Sequence, residues 1–302
     1  MLGAAAIVAL ALGLTACAGG RDAGEDGRPS VVVTQAVLGS VVRELVGTAA
    51  SVRVVVPNGL DPHQYEPSAK EIEAVMDADL VVETGLGFEA GLQGALDQAR
   101  AAGVDVFTAS DWIDVRRIGE GEAPDPDDSD QQAGAEDPHF WMDPLAMKAV
   151  VAALAPLVSD RLGIDVGARA SALASRLDSL DATVEETLAV VPEARRKLVS
   201  GHDSMGYFAR RYGFELVGAI IPSSSTQAEA SASGLAELKE KVRQAGVPAI
   251  FTELGTSPDL AEAIADETGV DVIELATAVL PDDGSYFTFL EEVGRRVAGG
   301  LG

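Results

Sequence analysis

Residues 52–82 read VRVVVPNGLDPHQYEPSAKEIEAVMDADLVV, and this stretch decides the fold class. Val52 to Val56 is valine-rich, the composition of a strand buried on both faces. Pro57-Asn58-Gly59 then stops it with three turn-forming residues. Ser68 with Glu71 three residues on has the form of a capping box, which starts a helix expected to reach about Met76. Leu80-Val81-Val82 reads as the next strand. A helix between two buried strands is the connection that parallel neighbours require. Outward from this unit the alternation continues, with a strand at Val31–Val33 and a helical pattern over Val41–Val46 before it, and a strand at Val104–Phe107 after it. The fold class is therefore α/β, a mainly parallel sheet with helices on both faces.

Beyond residue 140 the pattern changes and then returns. Asp143-Pro144 supplies an N-cap and a first-turn proline for a helix to about Leu162. From Asp165 to Val191 the apolar residues Leu173, Leu177, Leu180, Val184 and Leu188 recur at helical spacing. They predict a rod of about seven turns at 3.6 residues each, which Pro192 ends. Strands follow at Leu198-Val199, Glu215–Ile221, Ala249–Phe251 and Val270–Leu275, with helices through Tyr212 and over Leu235–Ala245, Leu260–Thr268 and Phe287–Val297. The expected division is an N-terminal lobe over 30–164, a joining helix over 165–191 and a C-terminal lobe over 192–302. A chain of 302 residues is long enough for two such cores.

Composition narrows the partners. With 48 acids against 22 bases the formal charge is −26, which disfavours nucleic acid and anionic membrane surfaces and favours cations. Residues 3–16 form an apolar run too short for a crossing of about 20 residues and read as a signal h-region. No Lys or Arg precedes it, so part of the leader is expected to be missing. The run ends in Leu14-Thr15-Ala16-Cys17, which resembles a bacterial lipobox, and residues 1–17 are expected to be the lipoprotein signal, with Cys17 lipidated. An ordinary buried cysteine is the alternative. Acylation of the single cysteine leaves no thiol for a disulfide or a thiolate metal site. Residues 18–29 are polar and Gly-rich, suited to a flexible tether. The body is thus expected outside the cytoplasm, a monomer anchored to the outer face of the cell membrane. Residues 119–137 hold eight acids without apolar periodicity and read as a solvated loop.

Only three histidines occur, and each adjoins an aspartate: Asp61-Pro62-His63, Asp137-Pro138-His139 and Gly201-His202-Asp203. Neutral imidazole is a common ligand for zinc-like ions, and a nearby carboxylate can fix its tautomer. Each histidine lies just after a predicted strand or before a helix, and loops at the C-terminal ends of parallel strands are where open α/β sheets bind ligands. Three solvent-facing histidines are the plainer alternative. Asp61, Asp137 and Asp203 have two readings, as partners orienting imidazoles or as turn-forming residues. Glu253, closing the Ile250-Phe251 strand, is either a supporting acid in the cleft or a surface ion-pair residue. Trp141 and Tyr207 read as core or cleft-wall residues. Protons compete for neutral imidazole, so metal affinity should collapse below about pH 6.5.

The motifs carry a resemblance. Asp61-Pro62-His63-Gln64-Tyr65-Glu66-Pro67-Ser68, Asp137-Pro138-His139-Phe140-Trp141-Met142-Asp143-Pro144 and Ser200-Gly201-His202-Asp203-Ser204-Met205-Gly206-Tyr207-Phe208 resemble, in order, the three metal-ligand motifs of the zinc- and manganese-binding lipoproteins that serve ABC importers. The resemblance spans essentially the whole mature chain. It implies two α/β lobes joined by one long rigid helix, a metal ion in the cleft between them, and His63, His139 and His202 as ligands. It also implies a capture protein, not an enzyme, that delivers its ion to a membrane permease.

Departures from the family matter. Its usual fourth ligand, an acid after the last strand, corresponds here to Ala278 in Thr277-Ala278-Val279. Asp282 or Asp283 is the expected substitute, with Asp283 equally an N-cap of the last helix; Glu274 and a water are further options. A three-nitrogen site favours one Zn²⁺ over Mn²⁺. A metal chaperone or adhesin on the same fold, or a zinc hydrolase with Glu253 or Asp203 as base, are the rival readings.

Overall fold

The computed structural model describes residues 27–119 and 133–302. Cys17, the lipobox, most of the tether and most of the acidic stretch lie outside the described residues. Four strands, β1 (Ser30–Val33), β2 (Ser51–Val54), β3 (Leu80–Glu83) and β4 (Val106–Thr108), form one parallel sheet in the order β2-β1-β3-β4. Side chains alternate along a strand, so a strand buried on both faces must be apolar at every position. Val31, Val33, Leu80 and Val82 point into one core, shared with α1 (Ala36–Val46). Val32 and Val81 point into another, beneath α2 (Ala69–Met76) and α3 (Gln93–Ala101). The capping box forms as read, with Glu71 Oε2 accepting from the Ser68 backbone N–H and hydroxyl, both at 2.7 Å.

The C-terminal half carries two parallel pairs. β5 (Lys197–His202) pairs with β6 (Glu215–Ile221), and β7 (Ala249–Thr252) pairs with β8 (Asp271–Glu274). β5 and β7 lie side by side. Helices α6 (Gly206–Tyr212), α7 (Ala232–Ala245) and α8 (Pro258–Thr268) connect the strands, and Val199, Ile220, Ile250, Leu238, Val242 and Ile264 make the core under α7 and α8.

Between the halves run α4 (Pro144–Leu162) and α5 (Gly167–Leu188). α5 is the expected rod, but shorter. It has 22 residues, about six turns. The Asp165 carboxylate accepts from Gly167 N at 3.0 Å, which starts the helix two residues later than its periodicity suggested. Leu173, Leu177, Leu180, Val184 and Leu188 are its buried apolar face. Nor is the rod free-standing, because it packs on α1, on α4 and on the terminal helix α9 (Tyr286–Leu301). The reading of 119–137 as one solvated loop fails at its C-terminal end. Gly134 and Ala135 bond back to Ile118 at 2.8 and 2.9 Å, Asp137 N–H donates to Arg116 O at 2.9 Å, and Asp137 is buried. Among the described residues, no helix is long and apolar enough to cross a membrane.

Since α5 joins the two halves through its buried face, Leu177→Ala should be costly. Leu177 is fully buried, and its truncation is expected to cost about 2–5 kcal/mol. Urea denaturation would measure this, and a loss below about 1 kcal/mol would show that the helix seam does not carry the fold.

Candidate metal centre

Each histidine sits where a strand or tight turn ends. His63 follows β2 in a turn whose Asp61 Oδ1 accepts from His63 N at 3.0 Å. His139 stands immediately before a single 3₁₀ turn over Phe140–Met142. His202 is the last residue of β5. Strand direction brings His63 and His202, and the segment entering α4 brings His139, to one place. They are 6%, 2% and 4% exposed, and one nitrogen from each lies within 4.8 Å of the others. The closest approach is 3.1 Å, between the Nε2 atoms of His139 and His202. Among the described residues no other cluster of His, Cys, Asp or Glu is assembled in this way. Buried nitrogens converging on one point suit a single cation.

Behind His139 stands a buried relay. Asp137 Oδ1 lies 2.9 Å from His139 Nδ1, and Asp137 Oδ2 accepts from Arg116 Nη1 at 3.2 Å. The Arg116 backbone N–H in turn donates to the Tyr207 hydroxyl at 2.9 Å. Gly206 opens α6 here because a Cβ would come within 2.4 Å of both Arg116 and Asp137. His202 has a different support, Glu253. Its Oε1 accepts from the His202 backbone N–H at 2.8 Å and lies 2.9 Å from Nδ1, to one side of a ring N–H line. Ser204 Oγ donates to both Glu253 oxygens, at 3.0 and 2.8 Å, and the Thr277 hydroxyl donates to Oε2.

Other expected residues fall elsewhere. Asp203 is half-buried with its N–H on Ser223 O at 2.9 Å, and its field raises the His202 pKa. Asp282 and Asp283 are exposed and outside the histidine cluster, which corrects their expected place as fourth ligand. Asp283 is not the helix cap either. It accepts from Ser285 N at 2.9 Å and Thr288 Oγ1 at 2.7 Å, while Ser285 caps α9. Glu274 is exposed. Ala278 does reach the site, where it lines the cavity with Thr226, Leu254 and Thr277. Trp141 is a cleft wall, its indole N–H on Thr277 O at 2.7 Å and its ring 5.2 Å from His139. Tyr207 is fully buried behind Arg116.

Sequence reasoning missed Phe88, whose ring meets His63 edge-on at 4.6 Å, and Arg116, Thr226 and Gln227. A signal for Phe88 existed in Gly85-Leu86-Gly87, three residues in succession at positive φ that turn the chain back into the cleft. Leu86, at φ 57°, is the one non-glycine among the described residues in that region.

Burial sets the electrostatics. It pushes His63 well below 6.5, helped by the other two imidazoles, and lowers His139 despite Asp137. For His202 burial acts the same way but is outweighed by Glu253, so its pKa rises. Asp137 and Glu253, which burial would raise, are held below the usual range by the histidines they face, with Arg116 adding to the effect on Asp137 and Thr277 to that on Glu253.

Fold and site together define an α/β binding protein built around a buried cluster of three histidines. The chain belongs to the family described as zinc-uptake complex component A, periplasmic (ZnuA), whose model matches residues 31–299. This is a family of metal-binding components of ABC importers, so the chain is a binding protein and not an enzyme. The zinc-binding protein TroA of Treponema pallidum is 32% identical over 269 residues, covering 87% of this chain and 82% of the relative. Manganese-binding lipoprotein MntA of Halalkalibacterium halodurans is 30% identical over 286 residues, 92% of this chain and 90% of its own. The solved structure of periplasmic TroA superposes with a TM-score of 0.78 at 29% identity, covering 91% of this chain and 99% of that one.

The opposed shifts are testable without metal. In an NMR titration of the metal-free protein, His202 should titrate above 6.5 and His63 well below it. In Glu253→Gln the largest raising interaction is gone and only the fields of Asp203 and Asp61 still oppose burial, so the His202 pKa should drop. A His202 indifferent to that change would mean Glu253 does not set its charge.

Proposed function

We propose that this protein captures one Zn²⁺ outside the cytoplasm and hands it to the permease of an ABC importer. His63, His139 and His202 are the ligands. The observation that carries the reading is the convergence of three buried imidazole nitrogens within 4.8 Å. Zinc takes nitrogen ligands at about 2.0–2.1 Å in tetrahedral geometry. No carboxylate among the described residues shares this cluster, and an all-nitrogen set favours Zn²⁺ over the oxygen-preferring Mn²⁺. Relatives include proteins named for each metal, so this donor chemistry is the argument for zinc. With Ala278 on the wall in place of an acid, a water completes the coordination.

In this reading the lobes are residues 30–164 and 192–302, joined by 165–191, and the protein acts as a monomer tethered through lipidated Cys17. Binding displaces at most one proton near neutrality. His63 and His139 are neutral there because their pKa values are lowered, whereas His202, raised above 6.5, must lose its proton first. Affinity therefore begins to fall at a pH above 6.5, about tenfold per pH unit, and steepens only when the depressed imidazoles also titrate. Competition titrations against a zinc chelator from pH 8 to 5 would check this slope; a flat profile would remove His202 from the ligand set.

Zinc titration of the soluble form starting after Cys17 tests the site itself. One tightly bound ion is expected, weakened in each of His63→Ala, His139→Ala and His202→Ala by more than the roughly 10–100-fold that loss of a supporting partner costs. Asp282→Asn with Asp283→Asn should bind as the parent does. Binding indifferent to all three histidines would overturn the proposal.

A further inference from the structure

His63 is supported differently from its two partners. Asp137 sits on the His139 ring and Glu253 beside the His202 ring, but among the described residues no carboxylate or hydroxyl bonds a ring nitrogen of His63. Its ring has only edge contacts, with Phe88 at 4.6 Å and the other imidazoles. What fixes His63 is its main chain. The N–H donates to Asp61 Oδ1 at 3.0 Å, and the carbonyl accepts from Gln227 Nε2. Asp61 is itself held at its second oxygen by the Thr226 hydroxyl at 2.6 Å and by Gln64 Nε2 at 3.1 Å. Gln64 Nε2 also reaches Thr226 Oγ1 at 3.3 Å. Gly255, at φ 88°, permits the close packing, since a Cβ there would lie 2.7 Å from both Asp61 Oδ2 and the Thr226 methyl.

Thr226 and Gln227 belong to the β6–α7 connection, in the half opposite His63. We propose that Thr226 and Gln227 are positioning residues for His63, clasping its turn from across the cleft so that the third ligand is in place only while the two halves are together. The proposal rests on the capture reading above and adds to it the means of release. His139 and His202 stay oriented by carboxylates on buried, packed elements, whereas His63 departs with its turn once the clasp opens. The ion is then left on two imidazoles.

The test is zinc dissociation from the soluble protein into an excess of chelator, followed by stopped flow. Thr226→Val and Gln227→Leu should each speed release about fivefold, as loss of one net hydrogen bond implies, and the double variant more. Thr226→Ser, which keeps the hydroxyl, should release at the parent rate. In a His63→Ala background both substitutions should have no further effect; an equal acceleration there would reveal general loosening of the fold and overturn the proposal. Parent-like release in the double variant would also overturn it. Should the parent bind no zinc, the capture reading fails by itself, and the clasp is judged in metal-free protein. There the His63 ring NMR signals should shift and broaden in the double variant while those of His139 and His202 hold. Unchanged His63 signals would refute the clasp.

Discussion

Three imidazoles packed with one nitrogen of each within 4.8 Å of the others cannot all be protonated, and none can recover in the interior the hydration it had in water. The rest of the structure answers that constraint. Two of the rings lie against buried carboxylates, and those carboxylates are charges that need partners of their own. Asp137 has Arg116, and Arg116 is held in turn by Tyr207 and by the space that Gly206 leaves free. Among the described residues Glu253 has no cationic partner except His202, and hydroxyls of Ser204 and Thr277 and a backbone N–H satisfy its remaining lone pairs. The shells differ in kind because the surrounding elements differ. Arg116 reaches Asp137 because the chain returns antiparallel beside it, while Glu253, just past the end of β7, is met by His202 and by the hydroxyls of Ser204 and Thr277.

Parallel topology then does the assembling. β2 and β5 both run toward the cleft, so residues just past or at their ends, His63 and His202, meet without any long-range motif in the sequence. His139 arrives from the segment that enters α4, and Asp143, capping that helix through Leu145 N at 2.8 Å, fixes the turn that carries it. The α4–α5 pair and α9 bury one shared apolar seam, while the β6–α7 connection meets the turn of His63 through hydrogen bonds. Polar contacts exchange with water at small net cost, whereas an apolar seam does not. The parts able to part are therefore the ones touching His63.

Much of this was legible in the chain. Valine runs separated by capped helices are a period-level signal that depends on burial alone, and they specify a doubly covered parallel sheet. The two Asp-Pro-His tripeptides were legible only in part. In both, the aspartate accepts from the histidine N–H two residues on, at 3.0 and 2.9 Å, so the local turn follows from local sequence. Only Asp137 goes on to touch its ring, because Arg116 draws its other oxygen inward, whereas Thr226 draws that of Asp61 across the cleft. Arg116, Thr226 and Gln227 are distant in sequence from the histidines they serve, so no spacing argument could find them. Asp203 and Glu253 both read as possible partners of His202; successive side chains leave a strand on opposite faces, and the acid beside the ring is Glu253, just past β7.

Ala278 gives these arrangements a consequence for charge. A carboxylate at that wall would neutralise part of a divalent ion directly; a methyl group leaves three neutral donors facing it. The compensating negative charge is instead one residue removed. Glu253 lies behind His202 and Asp61 beside the cavity, and both act on His202 in the same direction. Asp137, behind His139, is itself paired with Arg116. Charge held at that distance attracts a cation without occupying a coordination position, and it polarises the imidazole that intervenes. If the proposed zinc site holds, it discriminates through its nitrogen donors, which distinguish Zn²⁺ from Mg²⁺, Ca²⁺ and Mn²⁺, more than through electrostatic attraction, which all divalent ions share. Under the zinc-capture proposal, an alanine on the cavity wall and a buried glutamate behind an imidazole belong to one arrangement, with attraction supplied by the surroundings and selectivity by the three rings.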